Sequence, residues 1–321
     1  MEKKQTIFKT IYRIFGVVLL CAAIVSMLVY ITYVTRDKKN AWMWDTFKAL
    51  EKNSVTALFV GNSHSFCSIN TDMLKEEYNF SSFMLSASGQ TLAMDYYAIK
   101  EALKTQHPKT IYLEMSYVIH DWDTINSEMS HMFFDGMPFG KNKIEAVKAL
   151  VPEEERIYFY LPLGQFHSRF FSLKEEDYAS DIDSLTGRFY SDVISRNWDF
   201  DIEPKRETAP IPENAIKQLD KIVDLCKSEG IELILYTVPY STQFNEDPYS
   251  AAGLSENQKI YNSLYDYAKE NELEYHNLFH EALLIGYDLD RDFMDSQHFN
   301  CYGQDVFTKY MVEKEYIKVY E

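Results

Sequence analysis

Residues 55–70 read VTALFVGNSHSFCSIN, and this stretch decides how the whole chain is interpreted. Val55 to Val60 form a short apolar run that ends at Gly61, which is typical of a buried strand in a parallel sheet. A small residue allows the backbone to turn sharply after such a strand. Ser63 can then present both its hydroxyl and its own N–H to one ligand atom at a helix entrance. An ordinary strand-to-helix turn also favours Gly, Asn and Ser, so the stretch alone leaves both interpretations open.

Alternating strand and helix signals continue along the chain on both sides of this stretch. Further strands are predicted by apolar runs at 82–85, 110–115, 231–238 and 273–278. Helices are predicted by apolar spacing, capping residues and the positions of Gly and Pro at 71–78, 91–104, 212–228, 256–271 and 302–316. Strands that alternate with helices predict an α/β fold with a parallel sheet and helices on both of its faces.

The alternation breaks between about Tyr117 and Pro210. This segment is rich in Tyr, Phe, Met and acidic residues, and its only regular pieces are helical, at 143–150 and 153–160. We predict a long, mainly helical insertion that leaves the third strand and covers or borders the cleft. Its aromatic residues could stack on sugars, although such residues more often pack an insertion onto the sheet.

The N-terminal region contains an uncharged segment, Phe15 to Val34, that reads FGVVLLCAAIVSMLVYITYV. Twenty such residues are long enough to cross a bilayer core as a helix. The chain therefore divides into a cytoplasmic tail (1–14), a transmembrane helix (15–34), a linker with a short amphipathic approach (35–53) and a globular domain (54–321). Basic residues before the helix predict a single-pass protein of the cell membrane with the domain outside the cytoplasm. A buried helix in a soluble protein is the alternative.

The formal net charge of -17 argues against a nucleic-acid partner, because phosphate backbones require a basic surface. It also disfavours adsorption of the domain to anionic lipid. A neutral or cationic substrate, such as a glycan or a zwitterionic polymer, fits this charge better.

Neither a metal site nor a disulfide framework is predicted. His276 and His280 have a spacing of four residues, but they straddle a predicted strand end rather than a helix. The cysteines show no CxxC spacing. A contact between Cys67 and Cys301 is one interpretation, because each lies near a candidate site residue, and two separate buried thiols are the simpler one. We expect no cofactor.

Three segments with chemically informative side chains are expected at the carboxyl ends of the strands, where sites of open parallel sheets gather. The first is 61–65, around Ser63. The second is 86–91, in which Gly89 could bring a backbone N–H toward the same ligand. The third is 295–298, in which Asp295 can orient the imidazole of His298. A serine hydroxyl needs such a base, because it is a weak nucleophile at neutral pH.

The order G-N-S, then Gly, then D-x-x-H before a C-terminal helix resembles the SGNH/GDSL hydrolase superfamily over roughly 55–316. The resemblance implies a three-layer α/β/α, flavodoxin-like fold. It also implies Ser63 as the nucleophile, Asp295 and His298 as the rest of a triad, and the N–H groups of Ser63 and Gly89 as oxyanion donors. The stretch LFVGNSHSFCSIN is similar to membrane-anchored bacterial members that modify surface polymers, including the D-alanyl-transfer and alginate-acetylation types.

Two departures from the family pattern are visible. The usual G-D-S is G-N-S here, and the third block lacks its asparagine, since residues 113–117 read LEMSY. Ser116 is the replacement oxyanion donor that the sequence offers. Asn62, His64 and Gln90 are the candidate substrate-binding residues.

The expected function is that of a serine-dependent ester hydrolase or O-acyltransferase acting on cell-envelope or exported polysaccharide through an acyl-enzyme. The expected partners are an acylated glycan or envelope polymer, a membrane acyl-donor protein and, through the N-terminal helix, the lipid bilayer. The alternative is a non-catalytic scaffold or glycan-binding protein in an envelope assembly.

Overall fold

The structure is a computed structural model that describes residues 2–36, 38–123, 127–161, 163–178, 185–200, 206–241 and 254–319. The strands are β1 (Ala57–Gly61), β2 (Ser82–Ser86), β3 (Thr110–Glu114), β4 (Glu232–Thr237) and β5 (Glu274–Asn277). The helices before the insertion are α1 (Glu2–Thr35), α2 (Lys38–Ala49), α3 (Ser63–Phe66), α4 (Thr71–Tyr78) and α5 (Leu92–Ala102). The insertion contains α6 (Ser127–Phe134), α7 (Lys141–Leu150), α8 (Arg156–Tyr160) and α9 (Leu163–Phe166), and α10 (Glu213–Glu229), α11 (Leu254–Asn271) and α12 (Cys301–Glu313) follow it.

The described strands form one parallel sheet in the order β2-β1-β3-β4-β5. This is the flavodoxin-like order, in which the chain leaves β1 toward one edge and returns on its other side to continue to the opposite edge. In the register, Gly61 of β1 pairs with Ser86 of β2. The loops that follow these two strands therefore start side by side at the carboxyl edge of the sheet.

Helices cover both faces of the sheet, which confirms the predicted α/β/α class. Successive side chains of a strand point to opposite faces, so β1 contributes to two separate cores. Leu58 and Val60 pack with α2, α5, α10 and α11 on one face. Ala57 and Phe59 pack with α4 and α12 on the other face, where the ring of Phe59 stacks on that of Tyr112 at 4.8 Å.

The insertion between β3 and α10 is mainly helical in its described parts, as predicted. It is tied to the face that α2 covers: the indole Nε1 of Trp44 donates to the carbonyl of Phe133 at 2.7 Å. The ammonium of Lys143 donates to the carbonyl of Phe134 at 2.7 Å, and burial lowers the pKa of this lysine to about 8. Two aromatic residues of the insertion, Phe133 and Phe134, are completely buried, so they pack the insertion and are not available to stack on a sugar.

The segment expected as a linker contains α2, which belongs to the core of the domain. Met43, Trp44 and Phe47 are buried, and the ring of Phe47 contacts that of Phe83 on β2 at 5.2 Å. Their spacing places all three on one side of the helix. The amphipathic approach predicted from the sequence is therefore a packed helix, and little of 35–53 is left as a connection.

The helix α1 projects from the domain. Its part from Ile7 to Thr35 is long and apolar enough to cross a membrane, with a mean hydropathy of 2.8. Its side chains are exposed from Ile7 to Tyr30, and only the last turn is buried against the protein. A fully exposed apolar helix is unstable in water, so this geometry supports membrane anchoring.

Candidate active site

The turn after β1 presents Ser63 at the start of α3. Asn62 caps this helix: its side-chain oxygen accepts a hydrogen bond from the backbone N–H of His64 at 2.8 Å. Asn62 and His64 are buried, whereas Ser63 is half-buried and stands at the first helical position. The backbone N–H of a residue at this position has no partner within its own helix.

Ser63, His298 and Asp295 lie in a connected row. The Oγ of Ser63 is 2.7 Å from the Nε2 of His298. The Nδ1 of His298 is 2.9 Å from the Oδ2 of Asp295 and 3.0 Å from its Oδ1. In this arrangement the carboxylate holds the proton on Nδ1, so that Nε2 is free to accept the serine proton.

The loop that carries Asp295 and His298 is fixed by its own hydrogen bonds. The Oδ1 of Asp295 accepts from the backbone N–H groups of Gln297 and His298, each at 2.9 Å. The backbone N–H of Ser241, after β4, donates to the carbonyl of Ser296 at 2.9 Å. Burial raises the pKa of Asp295, but the bond to His298 and the two backbone N–H groups outweigh it, so the pKa lies below its ordinary value. Asp295 is therefore a stable carboxylate.

Gly89 follows β2, in the loop that starts beside Ser63. It is buried and has a φ of +62°, a left-handed conformation that glycine adopts without strain. Next to it, Gln90 is buried, and its amide nitrogen donates to the Oδ1 of Asp95 at 2.7 Å and to the carbonyl of Leu85 at 3.2 Å. Gln90 thus holds the loop onto α5. The oxyanion role of Gly89 and the substrate role of Gln90 remain predictions.

A second carboxyl group near the site, that of Glu114, is buried at the end of the neighbouring strand β3, and sequence reasoning missed it. Glu114 ends β3, where its Oε2 accepts from the hydroxyl of Ser116 at 2.7 Å and its Oε1 accepts from the backbone N–H of Ser116 at 2.9 Å. The side-chain amide of Asn62 donates to the same hydroxyl at 2.9 Å. Ser116 therefore joins the turn that carries Ser63 to the end of the neighbouring strand.

Burial makes the carboxyl group of Glu114 an unusually weak acid. Complete burial raises its pKa from 4.5 to about 7, against the opposing effect of hydrogen bonds from Ser116 and from the backbone N–H groups of Val238 and Met115. A charged residue at the end of the strand TIYLEM was the available signal in the sequence. Its contacts depend on the pairing of β3 with β1, which that signal does not reveal.

His64 lies between this network and the row. Its Nδ1 is 3.1 Å from the Oδ1 of Asn62 and 3.2 Å from the Oγ of Ser116, and its ring centroid is 5.2 Å from that of His298. Burial lowers the pKa of His64 well below its ordinary value, and the neighbouring His298 acts in the same direction while Asp295 opposes it. His64 is therefore neutral near pH 7 and adds no charge beside His298.

Tyrosine hydroxyls extend the network into the face covered by α11. The hydroxyl of Tyr261 donates to the carbonyl of Ser116 at 3.0 Å, and it lies 2.9 Å from the hydroxyl of Tyr240. The ring of Tyr240 is 5.4 Å from that of His64. Tyr261 thus contacts Ser116, and Tyr240 contacts His64, from the same face of the sheet.

The residues considered for metal binding have other contacts. The Nε2 of His276 is 2.8 Å from the Oε1 of Glu274, and the Nε2 of His280 is 2.7 Å from the Oδ1 of Asn262. Within the described ranges, no three His, Cys, Asp or Glu side chains are grouped so that they could hold a metal ion. Cys67 and Cys301 are buried free thiols.

No protein-family model matches the chain, and no curated protein matches it. Among solved structures, it is similar to the crystal structure of a "putative acylhydrolase" from Bacteroides fragilis NCTC 9343, with a TM-score of 0.42 and 12% sequence identity. That match covers 89% of this chain and 100% of the other.

Proposed function

We propose that the chain is a membrane-anchored serine hydrolase or O-acyltransferase that works through an acyl-enzyme on Ser63. The observation that carries this proposal is the row from Ser63 through His298 to Asp295, with successive contacts of 2.7 and 2.9 Å. The three residues come from two loops that are more than two hundred positions apart in sequence. Their alignment in the order nucleophile, base and carboxylate is the arrangement that activates a serine.

The reaction begins when the Oγ of Ser63 attacks the carbonyl carbon of an ester and its proton passes to the Nε2 of His298. The tetrahedral intermediate collapses as the ester oxygen leaves with that proton, and the acyl group stays on Ser63. Water or a glycan hydroxyl then gives its proton to Nε2 and attacks the acyl carbon. Departure of the Ser63 oxygen, which takes the proton back, releases an acid or a new ester.

The negative oxygen of each intermediate needs hydrogen-bond donors. The backbone N–H of Ser63, at the first position of α3, is one proposed donor, and the N–H of Gly89 in the adjacent loop is the other. The hydroxyl of Ser116, the third donor suggested by the sequence, donates to Glu114. We propose that Ser116 acts mainly by holding Asn62, and with it the turn that carries Ser63.

The proposed substrate is an acylated cell-envelope or exported polysaccharide. The net charge of -17 disfavours polyanionic substrates and leaves neutral or zwitterionic polymers. An apolar helix long enough to span a membrane would keep the enzyme beside such polymers, with its N-terminus in the cytoplasm and its domain outside. A membrane protein that supplies the acyl group is the partner that transfer, as opposed to hydrolysis, would require.

A serine-reactive fluorophosphonate probe tests the proposal. The full chain in detergent should be labelled, and it should release p-nitrophenol from p-nitrophenyl acetate. Ser63→Ala should abolish both, while its unfolding temperature should change little because Ser63 is half-buried. The matched control is Ser228→Ala, which removes an exposed serine hydroxyl on α10 and should retain full labelling.

The rival function is a non-catalytic scaffold or glycan-binding protein of an envelope assembly. It would be favoured if a correctly folded chain were neither labelled nor active, or if Ser63→Ala and the parent chain reacted equally. Adding candidate acylated polysaccharides to the labelling reaction separates these outcomes further. A substrate of the enzyme should compete with the probe at Ser63, whereas a glycan bound elsewhere should not.

A further inference from the structure

The insertion carries an exposed apolar surface, which we call the insertion patch. It consists of five large side chains on and after α8, all exposed: Ile157, Tyr158, Leu161, Phe170 and Phe171. Phe171 is 91% exposed, an extreme value for a phenylalanine. Phe159, which lies between Tyr158 and Leu161 in sequence, is buried and stacks on the ring of His131 at 4.2 Å. This contact fixes α8 to the rest of the insertion. A cluster of this kind indicates a binding surface.

The insertion patch lies beside the end of α1. Both α9 and the 3₁₀ turn at His167–Ser172 pack against α1. Within that turn, the guanidinium of Arg169 donates to the carbonyl of Thr35 at 2.9 Å and also to the carbonyl of Arg36. These carbonyls end the helix and have no partners within it. Because Phe170 and Phe171 follow Arg169 directly, they are held next to the last turn of α1.

The length of α1 sets the depth of this contact relative to a bilayer. The uncharged segment 15–34 is about 30 Å long as a helix, which equals the thickness of a bilayer core. Its end therefore coincides with the boundary between acyl chains and headgroups. The side chains of α1 are exposed up to Tyr30 and become buried at Val34, so the insertion meets α1 at that same boundary.

The second helix relates this boundary to the sheet. It begins at Lys38, next to α1, and ends at Ala49, which lines a surface cavity with Ser54 and Ser81 at the amino-terminal edge of the sheet. Near the end of α2, Phe47 contacts Phe83 in the first half of β2. Earlier in α2, Ala41 and Trp44 contact the insertion at Gly136 and Phe133, and the insertion starts at the carboxyl edge of the sheet. That edge carries Ser63.

We propose that the insertion patch enters the lipid interface around α1 and holds the candidate active site on the membrane side of the domain. Its occupant is the bilayer, since Phe170 and Phe171 lie in the turn that packs against the end of the apolar helix α1. Aromatic side chains suit the interface, and an amphipathic surface of this type is buried about 5–10 Å into the headgroup and acyl boundary. The chain's charge of -17 makes the attraction apolar rather than electrostatic. The inference rests on α1 as a membrane anchor and not on catalysis.

Tryptophan reporters in the full chain test this inference. Phe171→Trp replaces a member of the insertion patch, and Leu185→Trp is the matched control. Leu185 is also an exposed apolar residue, 48% accessible to solvent, but it lines the cavity at the far end of α2. Each variant is placed in phosphatidylcholine nanodiscs that hold one copy, with and without bromine on the acyl chains. The emission of the four native tryptophans is subtracted with the parent chain.

We expect the added emission of Phe171→Trp to be blue-shifted and strongly quenched by bromines near the headgroup, whereas that of Leu185→Trp should be unaffected. Equal, weak quenching of both reporters would overturn the inference. A second set of nanodiscs holds two copies of the chain, and quenching seen only in that set would assign the patch to contact with a second chain. Quenching that requires anionic lipid would refute apolar insertion. An unchanged unfolding temperature shows that each variant is folded, independently of any activity.

Discussion

Gly61 lies directly against Glu114: a Cβ at Gly61 would stand 2.8 Å from the Cβ of Glu114 and 3.2 Å from that of Ser65. Gly61 also has a φ of +150°, a conformation that other residues rarely adopt. The close approach lets the end of β3 pack under the turn that carries Ser63. The glycine of the G-N-S motif therefore serves the neighbouring strand as well as its own turn.

Gly61→Ala should destabilise the chain by about 1–3 kcal/mol. The new methyl group must displace the Cβ atoms of Glu114 and Ser65, which can move only if their backbone moves. Labelling of Ser63 should fall as well, since the turn must shift. The measurement is the urea midpoint of the full chain in detergent, together with the rate of fluorophosphonate labelling. Gly140→Ala is the control, because a Cβ there meets open space. Equal midpoints for the two variants would contradict the packing argument.

The acidity of Glu114 predicts a specific pH dependence of stability. Its pKa is raised from 4.5 in the unfolded chain to about 7 in the folded protein, so the folded protein binds more protons between these values. Stability from this group is therefore fully present below about pH 4.5 and is lost as the pH rises to about 7, by about 3 kcal/mol in total.

Glu114→Gln should remove this loss, because glutamine does not titrate and can still bond to Ser116. The free energy of unfolding of the parent chain and the variant, measured by urea at several values between pH 4.5 and pH 8, should converge at low pH and separate toward neutrality. Parallel pH profiles would show that Glu114 keeps an ordinary pKa.

The strands of the sheet and the loop that carries Asp295 and His298 could be predicted from the sequence, but the buried hydrogen-bond network around Glu114 could not. The apolar run before Gly61 and the run 231–238 identify buried strands because they are too short and too apolar for surface helices. The D-x-x-H pair identifies the loop that meets Ser63, since a three-residue spacing in a tight turn brings carboxylate and imidazole together. Each of these patterns depends only on residues that are close together in the sequence, so it can be recognised without knowing the fold.

The network around Glu114 could not be predicted in the same way. Its contacts join the ends of β1 and β3, so they depend on strand register, which is a property of the assembled sheet. The burial of α2 is a similar case. The spacing of Met43, Trp44 and Phe47 shows that one side of the helix is apolar, but it does not show which surface covers that side.

The carboxylate of Asp295 leads to a prediction about the base. Asp295→Asn should lower the rate of labelling and of ester hydrolysis by about 10²–10⁴-fold, because an amide no longer enforces the proton on Nδ1 of His298. Stability should change less, since the side-chain oxygen can still accept from the N–H groups of Gln297 and His298. Asp266→Asn, an exposed change on α11, is the control. Undiminished activity of Asp295→Asn would remove the carboxylate from the proposed mechanism.

A variant of Ser116 tests whether its hydroxyl replaces the asparagine that the third block lacks. Its hydroxyl donates to Glu114 and accepts from Asn62, so Ser116→Ala leaves both partners one bond short and should cost about 1–3 kcal/mol of stability. The pKa of Glu114 should rise further, so the loss of stability on titrating Glu114 should occur at higher pH.

A lost oxyanion donor would lower the turnover number by about 10²–10³-fold, whereas a positioning role predicts a loss below about tenfold. Ester hydrolysis and urea unfolding measured on Ser116→Ala, beside Ser263→Ala on α11, separate the two. A large loss of turnover with unchanged stability would make Ser116 the oxyanion donor and contradict the role assigned to it through Asn62.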